Sequence, residues 1–154
     1  MPTGMALDPS GTFLFIADYN NSAIRLVSNV GDTASSTTTT FANATNNGGI
    51  AGINHPLAVV VDSATNVYVL NYGTGNNGAV LHLSGIYLNS GLALVYPPLA
   101  SNLNNATAMA MDGNNNLYVT VNGNTVKRVT PGGVVSTIGT VSQSGTAPAR
   151  HRGA

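Results

Sequence analysis

Apolar side chains recur along this chain in short runs, each closed by a cluster of Gly, Asn, Asp, Ser or Pro. Three runs begin alike: Pro2-Thr-Gly-Met-Ala-Leu-Asp8, Pro56-Leu-Ala-Val-Val-Val-Asp62 and Ala106-Thr-Ala-Met-Ala-Met-Asp112, with the Asp residues 54 and 50 positions apart. Each Asp leads into a turn, Asp8-Pro-Ser-Gly11, Asp62-Ser-Ala-Thr-Asn66 or Asp112-Gly-Asn-Asn-Asn116. A second strand is predicted after each turn, over Phe13–Ala17, Val67–Leu70 and Leu117–Val121, with Phe15, Tyr68 and Tyr118 in matching places. A third follows at Ala23–Val27, Ala79–Leu83 and Thr125–Val129, and a weaker fourth at Thr37–Phe41, Leu92–Tyr96 and Val134–Ile138. No segment sustains a helical period. Four short strands per repeat of about 50 residues is the pattern of a β-propeller blade, so the predicted fold class is all-β, with three four-stranded blades. The blades are expected at about 2–50, 51–100 and 101–141. The character of the chain then changes: Gln143 to Ala154 carries Pro148, Arg150, His151 and Arg152 among small residues, and 142–154 is expected to be a flexible tail.

These runs resemble the NHL repeat of six-bladed β-propellers, whose pattern runs roughly Pro-x-Gly-apolar-Ala-apolar-Asp, a turn, apolar-Tyr-Val-Ala-Asp, then x-x-Asn-x-x-Ile-Arg. The first repeat follows it in Pro2, Gly4, Asp8, Asp18, Asn21, Ile24 and Arg25. The second departs with Ala58, Asn71 and Leu81 at the Gly, Asp and Arg places and an insertion before Asn77. The third has Ala106 for Pro and Val121 for Asp but keeps Tyr118 and Asn124. Gly48-Gly-Ile-Ala-Gly-Ile-Asn-His-Pro56 is similar to the glycine-rich link between such repeats, and the resemblance spans about residues 2–140. Three blades leave two sheet faces wet. Because the family favours six blades, the resemblance implies a two-fold homodimer that closes one ring, or else a half of a longer chain.

Composition narrows the chemistry. Charged residues make up 6% of the 154, Glu is absent, and the formal net charge is zero. Nucleic acid and anionic membranes need a cationic face, so neither is an expected partner. The 43% hydrophobic content argues against disorder, and no uninterrupted apolar window is long enough for a membrane span. Asn, Gly, Thr and Ser together supply 67 residues, a neutral surface that suits a secreted or cell-surface bacterial protein. Met1 is followed directly by Pro2 and a strand, so no signal peptide is expected within this sequence. Without Cys there is neither a disulfide nor a thiolate metal site.

The recurring Asp8, Asp62 and Asp112 suggest either a carboxylate ring for Ca²⁺ or three turn caps; exact recurrence favours the caps. Asp18 and Asn71 recur in the same way, and Asp18 can pair with Arg25. His55, just before an innermost strand, lies near the expected channel mouth. In NHL-like lyases and related propeller lactonases, the resemblance implies, such loops hold a catalytic metal. Few acids are present to complete a Zn²⁺ or Ca²⁺ site here, so no metal and no cofactor is expected. His82 is read as packed or surface-exposed. Tyr19, Tyr72, Tyr87 and Tyr96 suit a recognition surface, and Thr37–Thr40 suits an outer edge strand. His55, Tyr19 and Tyr72 are therefore the candidate binding residues. No nucleophile elbow, P-loop or dinucleotide fingerprint is present. The expected function is a non-enzymatic scaffold that binds a protein, peptide or glycan ligand. The alternatives are a metal-dependent propeller lyase or lactonase, and a propeller fragment without a function of its own.

Overall fold

The computed structural model describes residues 1–43, 52–73, 75, 77–84, 94–95 and 98–141. They form three antiparallel four-stranded meanders. Blade 1 contains β1 (Pro2–Leu7), β2 (Phe13–Asp18), β3 (Ala23–Ser28) and β4 (Thr37–Asn43) in spatial order. Blade 2 contains β5 (Pro56–Val61), β6 (Val67–Asn71), β7 (Ala79–Ser84) and β8 (Leu94–Val95). Blade 3 contains β9 (Ala108–Met111), β10 (Leu117–Val121), β11 (Thr125–Val129) and β12 (Val135–Thr140). A single 3-10 turn, Tyr19–Asn21, links β2 to β3. Among the described residues no helix is long and apolar enough to cross a membrane. The glycine-rich stretch 44–51, Tyr87, Tyr96 and the tail 142–154 lie outside the described residues.

The strands begin and end close to where the hydrophobic alternation places them. β2, β3, β6 and β7 run one residue further than predicted, to Asp18, Ser28, Asn71 and Ser84. β9 starts at Ala108, two residues after Ala106. The Ala106 N–H there donates to the Leu103 carbonyl (3.2 Å), an option that the ring nitrogens of Pro2 and Pro56 lack.

The turns after Asp8, Asp62 and Asp112 share one geometry. The N–H three residues on returns to each Asp carbonyl at 3.0 Å, from Gly11, Thr65 and Asn115. All three donors have left-handed backbone, with φ of 70°, 64° and 61°. Gly and Asn accept that conformation, whereas a β-branched Thr is strained in it.

Adjacent blades bury their facing sides against each other. One cluster lies between blades 1 and 2, built on Phe15, Ile24, Leu26 and Phe41 from one side and Val59, Val67, Val69, Leu81 and Leu83 from the other. Phe15 and Phe41 meet edge to face with ring centroids 5.0 Å apart. The second cluster joins Tyr68, Leu70 and Val80 of blade 2 to Leu117, Val119, Val121 and Val129 of blade 3. β6 is buried along its whole length because it serves both clusters. The approach of blades 1 and 2 is close enough that a Cβ on Gly4 would stand 3.0 Å from the Leu57 carbonyl oxygen. Beside it, a bulge in β1 lets the Thr3 hydroxyl donate to the Pro56 carbonyl at 2.9 Å.

Replacing Thr65 by Asn, the residue that blade 3 uses at the same turn position, removes the β-branched strain. Thr65→Asn is expected to raise stability by about 1 kcal/mol in urea unfolding, with an unchanged m-value.

Candidate functional site

In every blade the Asp turn joins the first two strands at one end, and the link to the third strand lies at the other. Register fixes this, since Leu7 pairs with Leu14 next to Asp8, while Pro2 pairs with Asp18 at the far end. The two ends carry different chemistry.

At the Asp end the carboxylates are spent on backbone. Asp8 accepts from the Ser10 N–H (3.1 Å), the Ser10 hydroxyl (2.6 Å) and the Phe13 N–H (2.8 Å). Asp62 accepts from the Ala64 and Asn66 N–H groups, the Asn66 amide and the Tyr68 hydroxyl. Asp112 has the same set from Asn114, Asn116 and Tyr118. Burial alone would raise the Asp8 pKa, but the bonds from Ser10 and Phe13 hold it below the ordinary 3.8. The Asn116 amide and N–H hold Asp112 at about 2. Burial pushes the Tyr68 hydroxyl up to about 12, helped by the Asp62 charge. His82 stacks on Tyr68, ring centroids 4.8 Å apart and planes 8° from parallel. Burial lowers its pKa from the ordinary 6.5, against a smaller pull upward from Asp62.

The opposite end brings together His55, Tyr19 and Tyr72, all half-buried. The Tyr19 and His55 rings are 4.7 Å apart, and Tyr19 and Tyr72 are 6.4 Å apart. His55 Nδ1 lies 2.5 Å from Asn54 Oδ1. An amide oxygen can only accept, so Nδ1 carries the hydrogen in the neutral ring and Nε2 keeps the lone pair. The backbone of His55 is held from both sides: its N–H donates to Ser22 Oγ (3.2 Å) and its carbonyl accepts the Tyr72 N–H (3.0 Å). Asn71 braces Asn54, accepting its N–H at 3.1 Å and donating to the Gly52 carbonyl at 3.3 Å. In blade 1 the equivalent Asp18 instead accepts from the Asn21 amide (2.8 Å) and from Arg25 Nε (3.1 Å), and Arg25 also reaches Thr40 Oγ1. The Asn21 amide, ahead of the Arg25 guanidinium, holds Asp18 below the ordinary carboxylate value despite its burial.

His55 has φ of 50°, left-handed backbone directly before Pro56, where proline disfavours helical geometry of either hand. Asn105 stands at the same place before blade 3 with φ of 49°, and its amide meets the Asn122 carbonyl oxygen at 3.3 Å, with Asn122 in the place of Tyr72. The position itself therefore demands this conformation. Asn and His are both among the residues that adopt it more readily than most. Sequence reasoning singled out the three rings but missed Ser22 and Asn54, and it placed Asn71 only as the counterpart of Asp18. Of these, only the Asn54-His55 adjacency was a local signal.

No protein-family model matches this sequence, and no curated protein matches it. Solved structures do. Hydrazine synthase of Kuenenia stuttgartiensis is similar over 92% of this chain and 37% of its own, at 15% identity and a TM-score of 0.61. The PQQ-bound aldose sugar dehydrogenase of Streptomyces coelicolor is similar over 86% and 45%, at 16% identity and 0.58. A gluconolactonase of Xanthomonas campestris is similar over 78% and 34%, at 15% identity and 0.53. The fold is that of a β-propeller. The chain spans less than half the length of each of these proteins.

The comparisons correct the expected function. A non-enzymatic scaffold for a protein, peptide or glycan was inferred from the lack of a complete chemical constellation, yet the similar propellers are enzymes. The physical reason is that a propeller assembles its site around a central channel from all its blades, so an arc of three displays only a portion. The expectation of no cofactor is not supported either, since one of these propellers was solved with PQQ. Among the described residues no three His, Cys, Asp or Glu side chains gather as metal ligands.

The shifted groups fix how stability depends on pH. His82 has a folded pKa below 6.5, so the unfolded chain takes up its proton first and stability starts to fall below about pH 6.5. Asp8, Asp18 and Asp112 are also depressed in the fold, so their contribution is complete above about pH 4 and is lost as the pH falls through their lowered pKa values, about 2 for Asp112. Thermal unfolding between pH 3 and 8 should show both declines, and His82→Phe should abolish only the upper one.

Proposed function

We propose that this chain is an arc of NHL-type repeats from a hydrolytic propeller enzyme that opens sugar-derived lactones, with His55 as its general base. The blades occupy 2–50, 51–100 and 101–141, followed by a tail over 142–154. The observation that carries the reading is the paired state of His55: Nδ1 is fixed on Asn54, Nε2 keeps its lone pair, and an aromatic wall stands 4.7 Å away. The likeness to a gluconolactonase supports the substrate class.

In the reaction, Nε2 takes a proton from water as the oxygen attacks the lactone carbonyl carbon. The tetrahedral intermediate then collapses, the ring C–O bond breaks, and the departing alkoxide recovers the proton from the imidazolium. The product is the open hydroxy acid. Tyr19 and Tyr72 line the approach, one face apolar and one edge polar, as a sugar ring requires.

His55→Asn places at this position the residue that blade 3 already uses. Gluconolactone hydrolysis by the variant, followed by proton release, is expected to fall about 100-fold or more, with stability equal to or above that of the parent. Parent and variant rates that coincide would remove His55 from the mechanism. A parent without turnover would overturn the hydrolytic reading.

A further inference from the structure

The ladder register makes the three blades superimposable residue by residue, and the comparison exposes what the two outer faces are. Blade 2 meets blade 1 with two cross-strand rows, Val59–Val69–Leu81 and Val61–Val67–Leu83, all packed in the first cluster. Blade 3 meets blade 2 with the equivalent rows Met109–Val119–Lys127 and Met111–Leu117–Val129. In blade 1 the same rows are Met5–Ile16–Arg25 and Leu7–Leu14–Val27, and they face solvent: Met5 is 68% and Leu7 52% exposed.

The complementary face follows the same logic. Blade 1 presents Gly4–Ala17–Ile24 and Ala6–Phe15–Leu26 to blade 2, and blade 2 presents Ala58–Leu70–Val80 and Val60–Tyr68–His82 to blade 3. Blade 3 carries Ala108–Thr120–Val126 and Ala110–Tyr118–Arg128 in those places, facing no blade in this chain. Its inner strand has the small side chains that a close approach needs. Thr107 occupies the place of Thr3, whose hydroxyl crosses to the next blade.

We infer that the open face of blade 3 docks on the open face of blade 1 in a second copy of this chain. Two such copies make the interface twice and close a ring of six blades around a two-fold axis. The argument is continuity: each outer face presents, at the same register positions, small inner-strand and apolar residues like those of an interface that the chain already makes twice, with Thr120 and Arg128 on blade 3 and Arg25 on blade 1 as the polar departures. The second copy needs no surface beyond those two faces. The inference is independent of the hydrolytic reading, because it concerns only how the arc closes.

The test uses the whole chain. Light scattering on a size-exclusion column is expected to give twice the 15.6 kDa of the single chain. Met5→Lys alters the blade 1 face, and Ala110→Glu alters the blade 3 face. Both residues are exposed in the single chain, so each variant keeps its fold. Each variant alone is expected to run as a monomer. Mixed in equal amounts they should dimerise again, because one interface is then native and the other sets Lys against Glu. A parent that stays monomeric at every concentration overturns the inference. So does a mixture that stays monomeric, since that pattern belongs to a dimer in which like faces meet.

Discussion

A β-sheet with two apolar faces is stable only when both are covered, and this requirement organises the molecule. The chain carries little charge with which to solvate an exposed sheet, and few long-range ion pairs form among the described residues, so the packing of blade on blade is the main source of stabilisation. A phenylalanine or leucine removed from water contributes about 1.5–3 kcal/mol. Phe15, Phe41, Leu70, Leu81, Leu83 and Leu117 are all fully buried, and every one lies in a cluster between blades. Blade 2 is thereby sandwiched, while blades 1 and 3 each retain an unmatched face.

The same constraint divides labour between the two ends of each blade. The Asp turns are closed systems in which each carboxylate is satisfied by its own loop. Their hydrogen bonds fix the turn and leave little capacity for a ligand. The opposite rim is assembled across blades: a blade 1 tyrosine lies over a blade 2 histidine, whose backbone is tethered to Ser22 of blade 1. Chemistry at that rim is therefore sensitive to how the blades pack, whereas the turns are not.

Much of the architecture could be read from the sequence because each strand obeys a period of two and each turn repeats at the same offset from its Asp. Fold class, strand count and the positions of most strands follow from those local signals. The rim was legible only in outline. Its rings stand out by residue type, but Ser22 and His55 lie 33 positions apart and Asn54 and Asn71 lie 17 apart, so their contacts exist only once the blades are stacked. The left-handed backbone at His55 contradicts the local preference of a residue before proline and becomes legible only through its counterpart Asn105. Function was misjudged for a related reason. A scarcity of charged residues in one arc says little of a site that a ring of blades assembles.

If face burial governs stability, the blades must differ in how readily they open. Amide hydrogen exchange followed by mass spectrometry at several protein concentrations measures this directly. The account predicts the strongest protection in β6 at all concentrations, with protection of β1, β2, β9 and β10 rising as the chain is concentrated. Equal, concentration-independent protection of all three blades would contradict it.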